Sequence, residues 1–140
     1  MRNRFRGWVF GLILTLAGVM GYSQLDKVLK GGGIAVVVDR LGKDIDRFIN
    51  GLTNTKPDKN FATKVVPIIS AGRGTYVGAV QVMGKPELVE KVQAVAQVEG
   101  DFMGREVRVR ALVPISTKNP GRNLDRVEGV GISAIIDIRL

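Results

Sequence analysis

The 140-residue chain contains no cysteine and no histidine, and only 6% of its residues are aromatic. The absence of cysteine excludes disulfides, thiolate nucleophiles and thiolate-ligated metals. The absence of histidine removes the commonest metal ligand and the one side chain that titrates near neutral pH without perturbation. Catalysis would have to use carboxylates, lysine, arginine, tyrosine or hydroxyl groups. We therefore expect no cofactor and no metal, and a protein that is not an enzyme.

The overall composition is that of an ordinary globular protein. Hydrophobic residues make up 45% of the chain and charged residues 24%, which excludes disordered and collagen-like proteins. The length allows one domain and a short appendage. Without disulfides, the packing of side chains must hold that domain together.

The first residues have the layout of an export signal. Arg2, Arg4 and Arg6 precede an apolar stretch over residues 7–22, and small residues at Gly21 and Ser23 precede a possible cleavage point. A basic start, an apolar centre and a small-residue exit are typical of secretory signal peptides. Residues 1–23 are predicted to be either a cleaved signal peptide or a retained membrane anchor. Either one places the working protein in the periplasm, outside the cell or on the outer side of the cytoplasmic membrane.

A linker and a helix are predicted next. The three glycines at 31–33 indicate a break, so residues 24–33 are predicted to be a Gly-rich linker and residues 34–140 a single α+β domain. Apolar residues recur at helical spacing over 34–52. The segment 34–38 is also rich in β-branched residues, which leaves open whether it starts the helix or forms a strand.

The rest of the chain alternates between strand and helix patterns. The strands are predicted at 64–70, 75–82, 106–113 and 130–140. The first two form a hairpin through a turn at 71–74, and Pro67, which lacks a backbone donor, favours a sheet edge for the first. A helix is predicted over 86–100, beginning at Pro86 and ending at Gly100.

These elements predict an α+β fold. In the order α-β-β-α-β-β, two hairpins joined by a helix form a four-stranded, mainly antiparallel sheet. Both helices are expected on one face of this two-layer sandwich, with the apolar signal or anchor helix preceding it.

Part of the chain resembles the BON domain of exported bacterial envelope proteins. The resemblance covers the stretch from Val80 to Gly84, the predicted helix that ends at Gly100 and the strand from Val107 to Val109. The last strand, from Val127 onward, has no place in that pattern. The resemblance implies an exported α+β domain, and no site residue is transferred by it.

Two groups of residues are candidate binding sites. The glycine-rich string from Gly72 to Gly78 has two interpretations, an anion cradle or a hairpin turn that needs positive φ, and its position between two strands excludes a dinucleotide loop. The second candidate is a basic cluster for an anionic partner. Its members are Arg73, Arg105, Arg108, Arg110, Lys118, Arg122 and Arg126. An ordinary solvated sheet face is the alternative.

These patterns predict a non-catalytic envelope or secreted module. It is expected to bind through its sheet face and basic edge, and the partner is a second copy, another envelope protein, or an anionic lipid or wall polymer. A nucleic acid is disfavoured because no aromatic residues interleave the basic cluster. The alternative is a small carboxylate-dependent hydrolase of envelope carbohydrate or ester, which would need two carboxylates within about 5–10 Å of each other.

Overall fold

The fold is a five-stranded mixed sheet curled into a half-barrel with two helices. The computed structural model describes residues 22–120 and 124–139. The elements are α1 (Tyr22–Leu52), β1 (Ala62–Ser70), β2 (Tyr76–Gly84), α2 (Pro86–Val89), β3 (Ala94–Phe102), β4 (Val107–Ile115) and β5 (Val130–Ile136). The strand order is β4-β3-β1-β2-β5. Among the strands of the described residues, only β1 and β3 pair in parallel.

The helix α1 contains the predicted amphipathic segment and extends through residues 31–33, where Gly33 has a left-handed φ of 61°. Val38 and Ile49 are buried against the sheet, and Ile34 and Ile45 pack beside them. The helix ends at Leu52, and the left-handed φ of 55° at Asn54 turns the chain away. The segment from residue 34 to 38 is therefore helix, not strand.

The predicted four-stranded, two-layer architecture is wrong, because the two helices cover opposite faces of the sheet. We call the face that carries Val66, Val80 and Val95 the inner face; α2 packs on it through Val89. The opposite, outer face carries Val65 and is covered by α1. Side chains from all five strands pack into the inner-face cluster. The sheet therefore buries both of its faces near its centre.

The error arose at residues 86–100. The helix stops after Val89, and the chain continues as β3 from Ala94, so the expected long helix does not exist. Val92 and Val95 point into the inner-face cluster, while Ala94 and Ala96 are buried on the other side. A strand buried on both faces shows no alternation of apolar and polar residues. The apolar residues at 88, 89, 92, 95 and 96 therefore matched the spacing of a helix, although only residues 88 and 89 lie in one.

The strand that contains Pro67 is central rather than at an edge. β1 pairs with β2 along its whole length, but with β3 only at Ile68–Ser70. Pro67 is thus the last residue before the parallel pairing begins. In the described part of the chain, no strand pairs with residues 62–67 on that side. The proline occupies a locally open edge within a central strand.

β5 alternates as predicted, but its apolar residues serve both faces. Val130 and Ile132 pack on the inner face, whereas Ala134 and Ile136 pack on the outer face. The register with β2 shifts by one residue at this point, because Gln81 faces Ala134 and the next residue faces Ile132. One extra residue in a strand exchanges the two faces from there onward.

The predicted export segment falls largely outside the described residues, because the description begins at residue 22. Within the described part of the chain, no helix has the length and apolar character that a membrane crossing requires. The signal or anchor over residues 1–23 and the boundaries of the domain stay predictions.

Candidate binding surface

β3 and β4 extend beyond the rest of the sheet as a two-stranded ribbon. Every residue from 98 to 111 is exposed, and we call this segment the ribbon. Its strands pair antiparallel up to Phe102 and Val107, and the connecting turn places Met103 and Gly104 at φ 59° and 69°. The ribbon is a platform with two solvent-facing sides.

One side of the ribbon, its apolar face, bears no polar side chain. Its cross-strand pairs are Val98–Ala111, Gly100–Val109 and Phe102–Val107. The exposed fractions are 40% for Val98, 61% for Phe102, 43% for Val107 and 47% for Val109, and Met103 in the turn is 66% exposed. Clustered apolar exposure of this kind marks a binding surface far more often than isolated exposed residues do.

The apolar face continues a buried part of the core. Towards the sheet, the next two pairs on the same side are Ala96–Val113 and Ala94–Ile115. These residues belong to the third core cluster, which also contains Ile69. Five successive pairs are thus apolar, and the three farthest from the sheet are uncovered. The ribbon therefore has the apolar residue pattern of a buried sheet face, yet residues 98–111 are exposed to solvent.

On the other side of the ribbon, the charged face, each of the two arginines of β4 lies opposite an acidic residue of β3. Arg110 lies opposite Glu99, with its Nε 3.6 Å from Glu99 Oε2, and Arg108 lies opposite Asp101. Between residues 98 and 111 there are three arginines and three acidic residues, so the ribbon has no net charge. Exposed pairs of this kind contribute little to stability. They do cancel much of the field that an anionic ligand would sense.

The predicted basic cluster is divided between two ends of β4. Arg105, Arg108 and Arg110 lie on the ribbon, and Lys118 and Arg126 lie near the other end. Arg108 and Ile115, the residue that forms a bridge with Arg126, are separated by about 23 Å of extended strand. Arg73 is in the β1–β2 turn, and Arg122 lies outside the described residues. Among the members of the cluster that the structure describes, the three ribbon arginines share one segment, and Arg73, Lys118 and Arg126 lie elsewhere.

The glycine-rich string forms a hairpin turn, the second of its two interpretations. Gly74 has a φ of 72°, and its N–H donates to the Ser70 carbonyl at 2.7 Å. Ser70 N–H in turn donates to the Thr75 carbonyl at 2.8 Å. Glycine is needed here because other residues rarely adopt a left-handed backbone.

A closed ring of hydrogen-bonded polar side chains lies between α1 and the outer face of the sheet, and it was not predicted from the sequence. Gln81 Nε2 donates to Asp46 Oδ1 and Asn50 Oδ1, both at 2.9 Å. Asn50 Nδ2 donates to Thr63 Oγ1, whose hydroxyl donates to Asp46 Oδ2, again at 2.9 Å each. Ser133 Oγ donates to Gln81 Oε1 at 2.5 Å from outside the ring. A buried network that is fully satisfied fixes how elements dock.

A groove of about 890 Å³ runs beside the open edge of β1, between α1 and α2. Lys64 lies in it and donates from Nζ to the Val92 carbonyl at 2.7 Å and to the Glu90 carbonyl at 3.4 Å. Burial, reinforced by the charge of Lys118 and partly opposed by Glu90, lowers the pKa of Lys64 below its ordinary value. Lys64 links β1 to the segment before β3, where the two strands are not yet paired.

Three of the four carboxylates that line the groove are engaged by neighbours, and the fourth belongs to Glu90. Asp39 is 3.5 Å from Lys118, and Asp44 forms an ion pair with Arg47. Both oxygens of Asp46 accept hydrogen bonds within the polar ring. These three acids are occupied by intramolecular contacts, whereas a hydrolase needs a pair of carboxylates directed at a substrate. No group of three or more potential metal ligands was found among the described residues.

Comparison of the chain with protein-family models, with curated proteins and with solved structures found no significant match. The resemblance to the BON domain is not supported by these comparisons. It also depended on a helix that ends at Gly100, and that segment is β3. The residues of this chain are therefore the only basis for a function.

Proposed function

We propose that the chain is an exported, non-catalytic module that binds a partner through the apolar face of the ribbon. The observation that carries this proposal is the run of five apolar cross-strand pairs, of which the outer three are uncovered. The proposal keeps the class of function expected from the sequence. It moves the binding surface from the basic residues to the apolar side of the same strands.

The energetics of the ribbon favour a surface used for binding. An isolated two-stranded hairpin is at best marginally stable in water, and a strand pair usually needs a covered apolar face. The apolar face exposes Val98, Phe102, Val107 and Val109 to water instead. Covering these side chains would release about 25 cal/mol per Å² of apolar surface. A partner that packs on this face would therefore stabilise the ribbon as it binds.

An anionic partner is less well supported than an apolar one. Arg108 and Arg110 each face an acidic residue directly across the strand pair. Arg105 lies in the turn of the ribbon, whereas Arg73, Lys118 and Arg126 lie in other segments. Arg122 is outside the described residues. A uniformly basic patch, which would attract lipid headgroups or an acidic polymer, is not what the ribbon presents.

Export is supported by the sequence of residues 1–23. The test is intact-mass measurement of the protein from the cells that make it. We expect a chain that starts at or near Gln24, outside the cytoplasm. Full-length protein in the membrane fraction would indicate a retained anchor, and recovery from the cytosol would refute export in both forms.

The binding surface is tested by photocrosslinking in the same cells. A photoreactive phenylalanine analogue is placed at Val109, on the apolar face, or at Arg108, the adjacent residue on the charged face. Both positions are exposed, so the two probes differ only in the side of the ribbon they report. We expect a crosslinked adduct from position 109 and little from position 108. Equal crosslinking from both positions, or none from either, would contradict the proposal.

A further inference from the structure

We infer that the partner on the apolar face of the ribbon is a second copy of this chain, with two ribbons packed face to face about a two-fold axis. This inference rests on the proposed function and names the occupant of the same surface. In such an isologous dimer, each ribbon uses the same patch, so the patch must be complementary to itself. Charge, shape and area bear on that requirement.

The charges of the ribbon permit self-association. The whole chain has a formal net charge of +8, which opposes the approach of two copies. The ribbon itself has no net charge, and Arg108 and Arg110 lie opposite acids on the side that faces away from the proposed contact. Two apolar faces therefore meet without burying a charge. An oppositely charged partner would have no comparable patch to recognise.

The sizes of the side chains make the apolar face complementary to itself. Phe102 is the bulkiest residue of the face and lies at its outer end, whereas Ala111 lies two pairs closer to the sheet. Between them is Gly100, and a Cβ placed there would have no atom within 4 Å. A two-fold axis near the Gly100–Val109 pair sets Phe102 of each copy over the small residues of the other. Alternation of large and small residues lets two sheet faces interdigitate at about 10 Å separation.

The area fits a weak, transient dimer. The five exposed apolar side chains of the ribbon present an area of the order of 400 Å² per copy, within the range of the largest apolar patch on a typical monomer. Two copies would bury about twice that area, which lies below the roughly 1,200 Å² of standard specific interfaces and in the range of weak, transient contacts. We therefore expect a dimer that forms only at high micromolar protein concentrations and dissociates on dilution.

A membrane surface is the competing occupant, and the geometry of the ribbon disfavours it. The apolar residues follow the flat side of the ribbon over three cross-strand pairs and are not confined to its tip. To bury them in a bilayer, the ribbon would have to lie flat on the membrane, and its net charge of zero gives no attraction to anionic headgroups. The experiment includes vesicles as a separate measurement.

The inference is tested by analytical ultracentrifugation of the mature chain, which is expected to start at Gln24, over concentrations up to about 500 µM, because interfaces of this size are weak. Without the apolar residues 7–22, any association observed belongs to the rest of the chain. The test variant is Val107→Thr with Val109→Thr, which keeps β-branched side chains of nearly the same shape and so preserves strand propensity. The matched control is Arg108→Thr with Arg110→Thr on the charged face of the same strand. We expect the dissociation constant of the dimer to rise about tenfold or more in the test variant, because the contact loses apolar area.

The control variant should dimerise within about threefold of the wild type, since exposed ion pairs contribute little. Circular dichroism verifies that both variants stay folded. A protein that is monomeric at every concentration, or equal weakening in the two variants, would overturn the inference. Flotation with phosphatidylcholine–phosphatidylglycerol vesicles that is lost only in the test variant would identify a bilayer as the occupant instead.

The same data separate this inference from the proposed function. Crosslinking from position 109 to a different molecule, with a monomeric protein in the centrifuge, would retain the binding surface and refute the second copy. Absence of crosslinking from position 109 would refute both. Adducts at twice the mass of the chain from position 109, lost when Val107→Thr is added to the probe-bearing chain, would support both.

Discussion

Replacing Gln81 by methionine tests the polar ring between α1 and the sheet. Gln81 is 2% exposed, and its side chain makes three hydrogen bonds, two donated to α1 and one accepted from Ser133. Methionine has a similar length and fills the same space without donating or accepting. The substitution therefore leaves one oxygen of Asp46 and one of Asn50 without the donor they have in the native protein.

The expected cost follows from those losses. Each hydrogen bond contributes about 1 kcal/mol net, and each buried acceptor left unsatisfied costs about 1–3 kcal/mol. Burying the methionine thioether instead of the glutamine amide offsets this loss of stability by about 1 kcal/mol, because no polar group has to be desolvated. We expect the free energy of unfolding to fall by about 3 kcal/mol. With a urea dependence of about 1.5 kcal/mol per molar, the midpoint falls by about 2 M.

The assay is urea denaturation followed by far-ultraviolet circular dichroism. Gln97→Met is the matched control, because Gln97 also lies in a strand but is half-buried and is not among the partners of the ring. We expect the control to change the free energy of unfolding by less than about 1 kcal/mol. A loss of that size or smaller in Gln81→Met would refute the reasoning, because it would mean that the ring does not connect α1 to β2.

Three further substitutions test other parts of the fold. Ile136→Ala should lower the free energy of unfolding by about 2 kcal/mol in urea titrations, the lower end for core truncations because the residue is half-buried; no loss would mean that the outer-face packing of β5 is wrong. Gly84→Ala should cost at least about 1 kcal/mol in the same assay, because its Cβ would lie 3.0 Å from the Gly129 carbonyl oxygen, and a neutral result would contradict that close approach. Burial lowers the pKa of Lys64 below its ordinary value of 10.5. Between the lowered pKa and 10.5 the unfolded chain binds more protons than the folded chain, so the free energy of unfolding rises with pH. Lys64→Met should remove that rise in urea titrations at increasing pH, whereas the surface substitution Lys91→Met should keep it; an unchanged pH profile in Lys64→Met would contradict the burial of the amine.

Elements with a clear period or a turn signal could be predicted from the sequence. The stripe on α1 and the alternation in β4 and β5 have the period of their structure. The hairpin of β1 and β2 was indicated by the glycine-containing turn at 71–74, although residues 65–69 and 78–82 are buried without alternation. The structure confirms each of them. β3 could not be assigned in this way, since Ala94, Val95 and Ala96 are all buried and show no alternation. The valines at 92, 95 and 98 were the available signal, because β-branched residues favour strands.

Two further features depend on tertiary contacts that periodicity does not encode. The register shift beside Gln81 moves the second half of β5 to the other face of the sheet. The alternation of apolar and polar residues in the sequence is the same whether or not the shift occurs, so it could not indicate the shift. Asp46 and Asn50 lie on the polar side of the predicted helix, yet Gln81 in the central strand draws them into contact with the sheet. A single glutamine within the apolar run of β2 was the one available indication of a buried polar partner.

Because residues 94–102 form a strand and not the predicted helix, the expected response of binding to salt is reversed. Arginines on a strand face that points to solvent predict an anionic partner, whose binding weakens as salt screens the attraction. With β3 as the neighbouring strand, Glu99 and Asp101 lie opposite those arginines, and the apolar face becomes the uncovered one. Self-association by apolar burial is not weakened by sodium chloride, because the salt screens the repulsion between two positively charged copies. It is strengthened by sulfate, which is excluded from protein surfaces. The sign of the salt effect on self-association therefore distinguishes the two hypotheses, and a dimer that dissociates as sulfate is added would favour charge over the apolar face.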